Sequence, residues 1–274
     1  MLNHINFFPK VPYTDQKDAM GRIEIALRNH NAVLFEGACG TGKTLSALAP
    51  ALAVAMDEDL VVVIITSVHQ QMDAFVEEVR EINKLQHIKT VVLEGRISAC
   101  PRKSMTLDQC EAMTRSTKAL VKLEAWAEEL RTKTSILEAR GVSSRNKIDP
   151  KVLDEMELYR KDLRSTLKRI EELRPLLCSH LYKALKDKSD SFCDWLYNDV
   201  RSINEIKEAG KRLDMCPNAL ISKCIKDADL IIGNYHHFLS PDVAFAMTQK
   251  LRRKTSEMIL IIDEAHNFEW AALK

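Results

Sequence analysis

Apolar residues follow two different periods along this chain. In residues 1–95, short continuous apolar runs alternate with stretches whose apolar positions recur every three or four residues. Ala32–Glu36, Val61–Thr66 and Thr90–Leu93 are runs of strand length, and Val61–Thr66 is β-branched throughout. Between them, Asp15–Arg28 gathers Ile23, Ala26 and Leu27 on one face, Lys43–Met56 is rich in Ala and Leu, and Ser67–Ile82 is amphipathic. Continuous strands separated by helices predict a parallel sheet covered on both faces, an α/β fold. The same alternation returns at Asp229–Gly233 and Met258–Asp263.

The middle of the chain reads differently. From Arg96 to Cys216 no buried strand is predicted. Leu120, Leu123, Trp126, Leu130 and Leu137 form one helical stripe, and Met156, Tyr159, Leu163, Leu167, Ile170 and Leu177 form a second. Gly141–Pro150 between them is turn-forming. Together they predict an antiparallel helical hairpin with a coiled-coil-like seam, at about residues 115–177. Residues 1–95 and 217–274 thus make up the sheet domain, and residues 96–216 are an insertion into it.

Composition narrows the picture. With 46% hydrophobic and 29% charged residues, the chain can bury a sizeable core. The net charge of +1 means that any basic surface must be local. No apolar run reaches the ~20 residues that span a bilayer, and the N-terminus lacks a signal pattern. The expectation is a cytoplasmic protein whose seven cysteines are not disulfide-bonded but bind metal or lie buried as thiols.

Two segments carry chemistry. Gly37-Ala38-Cys39-Gly40-Thr41-Gly42-Lys43-Thr44 fits G-x-x-x-x-G-K-S/T between a predicted strand and a predicted helix. Such a loop turns its N–H groups and a helix N-terminus toward phosphate oxygens. Lys43 reaches the β- and γ-phosphates, and the Thr44 hydroxyl holds Mg²⁺. Cys39 reads as a small residue at a variable loop position. The strand Met258–Ile262 ends in Asp263-Glu264-Ala265-His266. Asp263 can hold Mg²⁺ opposite Thr44, Glu264 can polarise the attacking water, and His266 can sense the nucleotide. Loop and acids together predict hydrolysis of a nucleoside triphosphate.

These residues resemble the superfamily 2 DNA helicases of the XPD and DinG group, from about Phe7 to Asn267. The loop and the D-E-A-H segment carry the resemblance. So do Pro12-Tyr13-x-x-Gln16, Thr66-Ser67-Val68-His69-Gln70-Gln71, Arg96-x-x-x-Cys100, Cys216-Pro217 and Asn234-Tyr235-His236-His237-Phe238-Leu239. The resemblance implies a RecA-like first motor lobe with an inserted iron–sulfur domain, 5′→3′ translocation on single-stranded DNA or at a single-strand/duplex junction, and DNA repair. It implies that Gln16 reads adenine and that His69, Gln70 and Arg96 touch DNA, with Arg102 and Lys103 nearby. Two departures stand out. The predicted hairpin is longer than in the best-known members. The chain also ends at Lys274, eight residues after His266, so the arch insertion and the second RecA-like lobe, whose arginines complete the ATP site, fall outside it. A monomer is expected. The alternative is an ATP- and DNA-binding iron–sulfur module without helicase activity of its own; a P-loop kinase or transferase is a further rival.

Six cysteines compete for four ligand places: Cys100, Cys110, Cys178, Cys193, Cys216 and Cys224. Thiolates suit zinc and iron–sulfur clusters alike. The absence of a C-x-x-C pair of zinc-ribbon spacing, and the resemblance, favour a 4Fe-4S cluster. Cys100 and Cys216 match the group best. Cys110 and Cys178 flank the predicted hairpin, whose two ends return to one place. The preferred set is therefore Cys100, Cys110, Cys178 and Cys216, with Cys193 as rival and Cys224 read as buried.

Overall fold

The computed structural model describes residues 2–38, 40–67, 69–141, 150–235 and 239–267. Four parallel strands form one sheet in the order β2-β3-β1-β4: β1 (Val61–Thr66), β2 (Thr90–Val92), β3 (Leu230–Asn234) and β4 (Met258–Ile262). Every residue of β1 is buried, as a strand with helices on both faces must be. Its register sets Val62 beside Leu230 and Val61 beside Met258.

Helices α1 (Thr14–Arg28), α2 (Lys43–Glu58) and α3 (His69–Asn83) accompany the sheet. Leu48, Leu52, Ile64, Ile65, Met72, Ile82 and Ile232 are sealed from solvent in one core. Val200, Ile206, Leu220 and Cys224, all from the middle of the chain, join the same core, so the inserted residues and the sheet share their apolar interior.

Between β2 and β3 the described residues form helices only: α4 (Leu107–Gly141), α5 (Pro150–Leu173), α6 (Ser179–Lys186), α7 (Ser191–Tyr197), α8 (Ile203–Leu213) and α9 (Pro217–Cys224), with short 3-10 turns. Helix α10 (Pro241–Leu251) precedes β4. Leu120, Ala127 and Ile170 form a second small core against Leu123, Leu163, Leu167 and Leu177. Glu138 pairs with Arg160 at 2.8 Å farther along the same two helices. Helix α4 starts earlier than the stripe of large residues predicts, and Leu177 lies beyond the end of α5. Most of the predicted turn 141–150 lies outside the described residues, as do Cys39, Val68 and His236–Phe238.

Two expectations are corrected. Residues 31–38 form no strand. An apolar run becomes a strand only by pairing with a sheet edge, and among the described residues β4 pairs with β1 alone. Val33 and Leu34 are accordingly 42% and 93% exposed, and Leu260 on the edge strand is 48% exposed. Second, the cysteines are not all thiols. Cys193 on α7 and Cys224 on α9 form a disulfide, with Cα atoms 5.3 Å apart, because those two helices pack side by side in the shared core.

The two kinds of apolar strand residue should respond differently to truncation. Ile64→Ala, in the centre of the sheet, is expected to cost about 2–5 kcal/mol of unfolding free energy. Leu260→Ala, on the exposed edge, should cost about 0.5 kcal/mol or less. Urea denaturation of both variants checks this; equal losses would contradict the described burial.

Candidate nucleotide site and cysteine cluster

Parallel sheets of this kind place ligands beyond the C-terminal ends of their strands, and the chemistry-bearing residues collect there. The loop before α2 needs left-handed backbone at Gly40 and Gly42, with φ of 77° and 72°, which glycine adopts without steric cost. A Cβ on Gly42 would also come within 2.7 Å of the Gln16 amide nitrogen. That amide donates to the Thr41 carbonyl at 2.8 Å, while the Gln16 carbonyl oxygen accepts from the Tyr13 N–H at 2.9 Å. Gln16 therefore ties the start of α1 to the loop. The Lys43 side chain folds back over Gly37, its Nζ donating to the Gly37 carbonyl at 2.6 Å. Thr44 is the second residue of α2.

The pairing of β1 with β4 continues one residue beyond the strand, the Asp263 N–H donating to the Ile65 carbonyl at 3.0 Å. Burial pushes the Asp263 carboxyl above the usual carboxylate range, and the Glu264 charge adds to this. The Glu264 backbone N–H and the Lys43 charge oppose the shift. A half-buried carboxylate beside a second acid is a group that a divalent cation would stabilise. Glu264 has φ of 50°, a left-handed conformation that costs a non-glycine residue on the order of 1–3 kcal/mol. His266 sits 3.3 Å from the Glu264 carboxylate and is largely exposed.

Sequence reasoning placed these residues but missed what holds the acidic turn. The Tyr235 hydroxyl donates to the carbonyl oxygens of both Asp263 and Glu264, the latter at 3.0 Å. Its partners are main-chain atoms on a distant strand, which no motif reveals.

Of the residues expected to touch DNA, Gln70 is exposed in the first turn of α3 and Arg96 is exposed 3.8 Å from Glu111. The His69 side chain lies outside the described residues. Gln71 is engaged locally, accepting from the Ser67 N–H and hydroxyl at 3.2 and 3.0 Å.

Cys100, Cys110, Cys178 and Cys216 are free and partly buried. Burial raises the Cys100 thiol, and the charges of Cys110 and Cys178 act on it. Burial likewise raises Cys216, on which Cys178 and Cys100 act, while the first-turn amides of Ala219 and Asn218 pull it back. The four come from four elements. Cys110 lies in the first turns of α4, and Cys178 and Cys216 are the residues that cap α6 and α9. Backbone bonds fix the arrangement: the Cys178 N–H donates to the Thr117 hydroxyl of α4 at 2.8 Å, and the Cys216 N–H to the His180 carbonyl at 3.0 Å. Among the described residues, no three His, Cys, Asp or Glu side chains form a group that could hold a metal ion. Nor is any described helix long and apolar enough to cross a membrane.

Comparison with known proteins gives a consistent result. The DEAD_2 family model matches residues 64–273. The Regulator of telomere elongation helicase 1 homolog of Anopheles gambiae is 24% identical over 98% of this chain and 26% of its own length. The General transcription and DNA repair factor IIH helicase subunit XPD of Schizosaccharomyces pombe is 29% identical over 26% of this chain and 9% of its own length. A solved XPD helicase structure shares the fold, with a TM-score of 0.51 at 18% identity, over 94% of this chain and 33% of that one. The chain spans about a quarter of the length of relatives such as the Anopheles protein (26%). A family match over most of the sequence, on a parallel sheet whose phosphate-type loop faces an acidic strand end, places the chain in the DEAD_2 family, the N-terminal region of XPD-like superfamily 2 helicases.

Proposed function

We propose that this chain is the ATP-binding first lobe of an iron–sulfur DNA helicase that couples ATP hydrolysis to 5′→3′ movement along single-stranded DNA, as in DNA repair. The observation that carries this reading is the placement of the acidic turn: the Asp263 N–H bonds to the Ile65 carbonyl just past the paired ends of β1 and β4, and the Lys43 charge acts on the Asp263 carboxyl. Gly37, Gly40, Thr41 and Gly42 would wrap the phosphates, with Lys43 on the terminal ones and Gln16 at the adenine. Thr44 and Asp263 would hold Mg²⁺, which supplies charge neutralisation at the γ-phosphate when bound. Glu264 would orient the water and His266 relay the state of the site. DNA backbone contacts from His69, Gln70 and Arg96 would be sequence-independent.

Residues 96–216 would form the iron–sulfur domain, with α4 and α5 as its hairpin. Cys100, Cys110, Cys178 and Cys216 would hold a 4Fe-4S cluster. What supports this set is that Cys100, Cys110, Cys178 and Cys216 are all free and partly buried, with Cys110 in the first turn of α4 and Cys178 and Cys216 capping α6 and α9. The disulfide removes Cys193 and Cys224 from the competition. A cluster bonded at all four points would pin α4, α6 and α9 to the chain just after β2.

Lys43→Ala is expected to weaken ATP·Mg²⁺ binding by at least about tenfold, the loss of a charge-assisted hydrogen bond, with the sheet intact. Calorimetry checks this, and equal affinity in the two proteins would refute the nucleotide reading. Each of Cys100→Ser, Cys110→Ser, Cys178→Ser and Cys216→Ser should lose most bound iron after anaerobic purification, while Cys193→Ser and Cys224→Ser keep it. Stoichiometric zinc without iron would refute the cluster. The Lys43 charge acts on Asp263. A further arginine at a transferring phosphoryl group is worth about 10³–10⁵ in rate. The second reading, a binding module without helicase activity of its own, follows for the isolated chain: it should hydrolyse ATP slowly and separate no duplex. Robust unwinding by a monodisperse preparation would contradict this.

A further inference from the structure

Tyr235 directly follows Asn234, the last residue of β3, and is 4% exposed. Its backbone N–H donates to the carbonyl of Thr66, the last residue of β1, at 3.0 Å. The Tyr235 main chain is thereby tied to the end of β1. From there the hydroxyl reaches the carbonyl oxygens of Asp263 and Glu264.

The two accepting carbonyls belong to the two peptide planes that flank the Glu264 Cα. Glu264 is left-handed, with φ of 50°, a conformation that persists only where surrounding structure holds it. Fixing both peptide planes fixes the direction in which the Glu264 side chain leaves the backbone; the Asp263 direction is fixed by the first of them together with the Ile262–Asp263 plane, which the Asp263 N–H bond to the Ile65 carbonyl holds. Both of the hydroxyl's bonds go to main-chain carbonyl oxygens and leave the carboxylate oxygens to other partners.

We propose that Tyr235 is a positioning residue for metal-dependent nucleotide binding: its hydroxyl clamps the acidic turn so that the Asp263 carboxylate faces the Lys43 loop. This rests on the ATP·Mg²⁺ reading above and assigns the structural part that aims the acid. Tyr235 contributes nothing to the phosphate contacts of Lys43, so ATP affinity in the absence of metal does not depend on it.

Tyr235→Phe keeps the ring and removes the donor. ATP affinity is measured by calorimetry with and without Mg²⁺ in wild type, Tyr235→Phe, Asp263→Asn and the double variant, with melting followed by circular dichroism. In Tyr235→Phe the gain in affinity conferred by Mg²⁺ is expected to fall about 3- to 10-fold, while metal-free affinity is unchanged. The double variant should be no worse than Asp263→Asn alone, because both act through one carboxylate. A wild-type Mg²⁺ gain in Tyr235→Phe overturns the proposal, as does an equal loss with and without metal, or additivity in the double variant. Failure of wild type to bind ATP at all refutes the nucleotide reading itself, and the clamp with it. If Tyr235→Phe does not fold, a crystal structure of wild type with ADP·Mg²⁺ decides. A Tyr235 hydroxyl on both carbonyls with Asp263 turned to the metal supports the clamp; a hydroxyl turned away from the turn overturns it.

Discussion

The nucleotide end of this molecule depends on the hydrogen-bonded pairing of β1 with β4. The pairing aligns Val61 with Met258 through Ile65 with Ile262 and carries on to the Asp263 N–H. A slip of one residue would turn every β4 side chain to the other face and swing Asp263 away from Lys43. Register is set by burial: β1 is covered on both faces, and Ile64 and Ile65 are sealed from solvent. The same strand end anchors Tyr235 through Thr66. One hydrophobic strand therefore aims the acids directly, through β4, and indirectly, through the tyrosine behind them.

The helical region is organised differently. Its own apolar core is small, centred on Leu120, Ala127 and Ile170, and much of its attachment is polar. Tyr182 and Lys186 on α6 meet Glu124 of α4. Arg80 of α3 meets Glu205 and the Val200 carbonyl, at 2.6 and 3.0 Å. The free thiols gather where α4, α6 and α9 begin. A cross-link at that point would substitute for core in a region that has little of it.

Much of the site was legible because its chemistry admits few residue types. Only glycine fits Gly42, where a positive φ and the neighbouring Gln16 amide both exclude a side chain, and the lysine and paired acids are equally specific. What failed depended on distant partners. Ala32–Glu36 has strand composition, but composition does not supply a paired edge. Cys193 read as a rival ligand and Cys224 as a buried thiol because only the packing of α7 on α9 brings them together. The Tyr235 hydroxyl was invisible because carbonyl oxygens have no sequence signature.

The central claim is that the nucleotide site and a DNA-facing surface belong to one device. Binding of two ligands to one device is reciprocal: if DNA changes the affinity for nucleotide, nucleotide changes the affinity for DNA by the same factor. The direct measurement is the affinity of this chain for labelled single-stranded DNA with and without a non-hydrolysable ATP analogue and Mg²⁺. Two different affinities, made equal by Lys43→Ala, are the predicted result. Identical affinities in the presence and absence of bound analogue, or no affinity for single-stranded DNA, would contradict the account and leave a P-loop protein of some other kind.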